Sequence, residues 1–94
     1  MDLPVLYAKK ALVLRRIVSN YRLEKQAMAE KNSRTFKQAL DERALLIDEL
    51  SKLNEEEGEL EPVTPLEVLQ KNNIQRLVEK IAEMRQNGNP FFPQ

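Results

Sequence analysis

Apolar residues recur every three or four positions along three stretches of this chain, and that spacing constrains the fold more than any other feature. In the first stretch, Leu3, Leu6, Tyr7, Ala11, Val13, Leu14, Ile17, Val18, Tyr21 and Met28 share one broad face at 100° per residue. Strands would show alternation instead. Asp2 is placed to cap this helix, and Pro4 lies in its first turn, where a missing N–H costs nothing. We expect a helix over about residues 3–31.

A second stripe, expected over about 34–54, collects Phe36, Ala39, Leu40, Ala44, Leu46, Ile47, Leu50 and Leu53, with Lys37, Asp41, Asp48, Glu49 and Lys52 pointing outward. Asn32 or Ser33 is the candidate cap. The polar stretch Lys31–Thr35 contains neither Gly nor Pro, and the two stripes stay nearly in phase across it. Two layouts therefore remain open. Either the chain turns there and closes a three-helix bundle, or one helix of about 50 residues runs roughly 75–80 Å and needs a second copy to cover it.

The third helix, expected over 65–87, carries the clearest start signal. Thr64-Pro65-Leu66-Glu67 combines a capping threonine, a first-turn proline and a glutamate able to reach back. Val63 and Val68 are spaced for a hydrophobic staple. Leu66, Ile74, Leu77, Val78, Ile81 and Met84 share its apolar face, and Asn87-Gly88 supplies a stop. The glutamate-rich segment 54–63 reads as a solvated acidic loop, because like charges in a row repel. Residues 89–94 read as an extended tail carrying Phe91 and Phe92 between prolines. The expected fold is thus all-α: a single helical domain over 1–88 built as an antiparallel three-helix bundle, with the continuous-helix dimer as its alternative.

Chemistry is conspicuous by what is missing. The 94 residues include no cysteine and no histidine, which removes thiolate ligands, disulfides and the commonest general base together. Gly58 and Gly88 stand alone, so no phosphate-cradling loop exists. The carboxylates Asp41, Glu42, Asp48 and Glu49 recur on a helix but point mostly outward, unlike those of metal-binding bundles. We expect no enzyme, no cofactor, no metal and no small-molecule substrate.

Fifteen basic and fifteen acidic residues cancel, so net charge offers no pull toward nucleic acid or anionic lipid. The first helix is locally basic through Lys9, Lys10, Arg15, Arg16, Arg22, Lys25 and Lys31, yet no stacking aromatics accompany it. A solvated face is the simpler reading, and nucleic-acid association ranks third among the functional classes. No apolar run is long enough for membrane insertion, and with no cleavage pattern at the start the expected location is the cytoplasm.

Protein binding is the remaining class. Val5, Leu12 and Leu23 fall together opposite the main stripe of the first helix, where a bundle would leave them exposed. Scattered surface leucines are the bland alternative. Arg43 and Lys10 interrupt apolar arcs, so each must snorkel, find a carboxylate or line an unclosed groove. Phe91 and Phe92 either dock back on the bundle or insert into a partner.

Leu23-Glu24-Lys25-Gln26-Ala27-Met28, Phe36 with Ala39-Leu40, and Asp41-Glu42-Arg43-Ala44-Leu45-Leu46-Ile47-Asp48-Glu49-Leu50 together resemble the flagellar export chaperones of the FlgN and FliT type. The resemblance covers about residues 14–53. It implies a cytosolic helical chaperone that shields an apolar or disordered segment of a hook-junction or filament-cap protein before type III export. It also implies that the C-terminal helical region supplies the binding surface, here Ile74, Leu77, Val78, Ile81 and Met84 with Phe91 and Phe92. Val5, Leu12 and Leu23 would form a secondary interface. The chain is shorter than FlgN-type members and lacks the further C-terminal helix of FliT-type ones. The alternative is a structural coiled-coil subunit of a larger complex, and either reading allows a homodimer.

Overall fold

A computed structural model describes residues 2–87, the last of them for its backbone only. The described chain forms three α-helices, α1 (Leu3–Ala29), α2 (Ser33–Glu57) and α3 (Pro65–Asn87). Its longest dimension is 47 Å, too short for the continuous 75–80 Å helix that the phase of the stripes left open.

The break between α1 and α2 is made by hydrogen bonds that no glycine or proline announces. Asn32 N–H donates to Ala27 C=O at 2.8 Å and Lys31 N–H donates to Met28 C=O at 3.2 Å. These are the two reverse bonds of a Schellman stop. Lys31 takes the left-handed conformation that this stop needs, with φ 56°. Asn32 then starts the next helix, its side chain accepting from Thr35 N–H at 3.1 Å. One residue thus ends one helix and begins another. Asp2 sits at the first cap position but makes no side-chain cap bond.

Helix α2 runs through Glu57, so the acidic loop expected over 54–63 is corrected. Glu55, Glu56 and Glu57 are helical, and the connection starts only at Gly58, whose φ of 53° ends the helix. At α3 the reciprocal box forms as expected. Glu67 N–H donates to Thr64 Oγ1, and Glu67 Oε1 accepts from the N–H groups of both Val63 and Thr64. The staple does not form as a buried contact, since Val63 is 87% exposed.

Consecutive helices are antiparallel. Asn20 meets Ala39 and Lys10 meets Glu57, while Gln70 of α3 donates to Pro4 C=O, so α3 lies parallel to α1. The middle layer is α1. Leu6, Val13 and Ile17 pack with Leu46 and Leu53 of α2. Tyr7 and Leu14 pack with Ile74 of α3. Leu50 and Ile81 join both clusters and bridge the flanks. No Cα of α2 comes within 8 Å of a Cα of α3 among the described residues. Helices α2 and α3 therefore lie closer to α1 than to each other and meet through Leu50 and Ile81.

Candidate protein-binding surface

Two ion pairs fix how α2 lies on α1. Arg43, which interrupts the apolar arc of α2, reaches Glu24 of α1 with Nη2–Oε2 at 2.8 Å and donates through Nε to Asn20 Oδ1 at 2.8 Å. Its guanidinium carbon lies 3.7 Å above the centre of the Tyr21 ring. Asn20 in turn donates to Ala39 C=O. Both charged side chains are nearly buried, so their fields are poorly screened and each depends on the other. At the opposite end, buried Lys10 pairs with Glu57. Of the three uses the sequence left open for these cations, both take a carboxylate partner.

Glu24, Asn20 and Glu57 were not singled out from sequence. Glu24 and Asn20 lie away from the centre of the α1 stripe and read as solvated, and Glu57 reads as part of a charge run. The usable signal was Arg43 itself, since a cation in an apolar arc demands an anion across the interface.

Helices α2 and α3 meet along a flank marked by Leu50 and Ile81. Leu50 serves both cores, so its side of α2 turns toward α3, and Ile47, one turn earlier, is 52% exposed on that flank. On α3, Lys71 donates to Glu61, and its ammonium is held protonated above the ordinary 10.5 mainly by that bond. Glu57 of α2 also raises it, more weakly. Val78, seven residues on, lies on the same side and is 47% exposed. Ile47 and Val78 are thus exposed apolar residues on the flank where Leu50 and Ile81 join the two clusters. Near its other end the Tyr7 phenol is pushed up by burial first and by Glu57 second. Its oxygen has no hydrogen-bond partner among the described residues.

The sequence-derived candidates are distributed differently from what a free stripe requires. Ile74 is buried against Tyr7 and Leu14, while Leu77, Ile81 and Met84 are half-buried. Most of the α3 stripe therefore already lies against α1, while Leu66 and Val78 are its exposed members. Val5, Leu12 and Leu23 are all exposed, on the α1 face turned away from both flanks. Phe91 and Phe92 lie outside the described residues. Leu45, the most exposed large apolar residue of α2, stands among Asp41, Asp48, Glu49 and Lys52 and extends no patch.

An all-α three-helix bundle held by buried ion pairs, with exposed apolar residues beside the α2–α3 flank, is what the geometry defines. Among the described residues no group of His, Cys, Asp and Glu could hold a metal ion, and no helix is long and apolar enough to cross a membrane. No protein-family model, curated protein or solved structure matches the chain.

Proposed function

We infer that this is a non-enzymatic protein-binding module that takes an amphipathic helix of another protein into the α2–α3 seam. The observation that carries the reading is the looser approach of α2 to α3, with exposed apolar residues beside it. Helices α2 and α3 both pack closely on α1 and approach each other less closely, and Ile47 and Val78 remain half in water beside the shared residues Leu50 and Ile81. A partner helix with apolar residues at i, i+3 or i+4, and i+7 matches such a seam in shape and chemistry. The buried ion pairs hold α2 in register, so the seam exists before the partner arrives and binding need not order it.

Within that class, a cytosolic export chaperone shielding a client segment of hook-junction or filament-cap type is the specific function we propose. Its support is the likeness of residues 14–53 to the FlgN and FliT type. A structural subunit of a larger helical complex is the alternative. Photo-crosslinking residues placed singly at Ile47 and Val78, with Lys52 and Glu83 as outward controls, separate the two in cells. A crosslink to an exported protein, confined to the seam positions and lost before export is complete, supports the chaperone. A permanent crosslink to a helical structural protein supports the subunit. Equal crosslinking from all four positions would remove the seam from consideration.

A further inference from the structure

The zero net charge of the chain hides a division between its helices. Helix α1 exposes Lys9, Arg15, Arg16, Arg22 and Lys25, while its one carboxylate, Glu24, is buried against Arg43. None of those five cations makes an ion pair among the described residues. Lys9, Leu12, Arg16 and Leu23 follow one another along the side of α1 turned away from α3, and the two leucines are 47% and 39% exposed. At mid-helix Arg15, Arg16, Ser19 and Leu23 line an open recess of about 300 Å³ that extends past Asn20 to Glu42 of α2. Helix α2 carries the opposite charge beside that recess. Its Leu45 is 74% exposed and has Asp41, Glu42, Asp48 and Glu49 as neighbours three and four residues away. Of these four acids only Asp48 is ion-paired among the described residues, with Lys52. Helix α3 lies on the other side of α1, against Tyr7 and Leu14.

We propose that this side of the molecule joins two copies of the chain, the cationic face of each α1 lying on the acidic face of the other copy's α2. Charge complementarity and register both favour a second copy as the occupant. Asn20 is level with Ala39 and Lys10 with Glu57, so Leu45 stands level with about Arg16 to Ser19. A twofold axis running along the helices exchanges α1 for α2 without changing any level. It seats Leu45 of each copy over the recess of the other and sets Arg15 and Arg16 beside the other copy's Asp48 and Glu49. The result is an apolar centre with a charged rim, the arrangement that protein interfaces favour. A nucleic acid would use the cations, yet it would lay phosphates on Leu12 and Leu23 and meet Glu42 at the recess. Helix α3 stays outside the pair, so the inference does not rest on a partner in the α2–α3 seam.

The test is sedimentation equilibrium of the full chain over a concentration series. A mass rising toward twice that of one chain is expected at ~50 mM salt, with the affinity falling about tenfold or more at ~500 mM. Arg16→Glu and Glu49→Arg should each weaken association by about tenfold or more, because the symmetry places each change at two contacts. Both side chains are exposed and unpaired among the described residues, so each variant should still fold, with helical circular dichroism unchanged. Combining the two reversals in one chain brings opposite charges together again and should recover most of the lost affinity. A dimer indifferent to the single reversals, or not recovered by the pair, would overturn the proposal. So would a chain that stays monomeric up to about a millimolar at low salt, which would leave this face to a foreign acidic helix. None of these outcomes bears on crosslinks from Ile47 and Val78, so the two readings fail separately.

Discussion

At the residue scale, the packing of α2 on α1 depends on buried charges that would be destabilising if unpaired. Truncating Arg43 strands Glu24, whose side chain is only 8% exposed. Arg43→Ala is therefore expected to destabilise by about 3–5 kcal/mol in chemical denaturation. Replacing both partners, as Glu24→Leu with Arg43→Met, should recover at least half of that loss, because the cost lies in the stranded charge rather than in the missing attraction. A double variant as unstable as the single one would show that the pair acts through something else.

Tyr7 makes a second residue-scale prediction. Its folded-state pKa is raised above 10.0 by burial and then by Glu57. The unfolded phenol ionises first as pH climbs. The stabilisation from the neutral phenol is thus complete below about pH 10 and is lost as pH rises through the folded value. Lys71 is also raised, and its contribution likewise fades above its ordinary 10.5. It is 39% exposed, so that contribution is small. Tyr7→Phe should make the alkaline loss of stability shallower without abolishing it. Below pH 9 it should cost less than about 0.5 kcal/mol, since the hydroxyl makes no protein hydrogen bond among the described residues. Urea midpoints across pH 8–11 check both statements.

At the scale of the element, the connection between α1 and α2 shows what sequence conceals. Thr64-Pro65-Leu66-Glu67 could be read because its signals are side chains acting on their own helix start. The turn at Glu30–Asn32 could not, because it rests on backbone bonds and a left-handed lysine that looks like any solvated residue. Glu57 misled for the opposite reason. Its neighbours form a charge run, but buried Lys10 holds it in the helix. The α3 stripe was legible as apolar, while its use against α1 was not, since periodicity names a face without naming what covers it. Two outcomes follow from the caps. Lys31→Gly relieves the left-handed conformation and should stabilise by about 0.5–1 kcal/mol. Asn32→Ala removes the bond to Thr35 N–H and should cost about 1 kcal/mol. Thermal unfolding of the two variants should therefore shift in opposite directions.

At the scale of the whole molecule, α1 is covered on two sides by α2 and α3, and the proposed place for an external helix is the flank between those two. Under the proposed function, stability and recognition would use different surfaces: ion pairs and Leu6, Val13 and Ile17 for the first, Ile47 and Val78 for the second. Ile47→Asp should leave Tm within a few degrees, since the side chain is already half in water, and abolish partner binding. The most direct measurement is a methyl NMR titration of the full chain with an amphipathic peptide from a hook-junction export client. Shifts centred on the methyls of Ile47, Leu50, Val78 and Ile81, with those of Val5, Leu12 and Leu23 unmoved, are the predicted result. Saturating peptide that leaves the seam methyls unmoved, or moves only the outer α1 leucines, would contradict it.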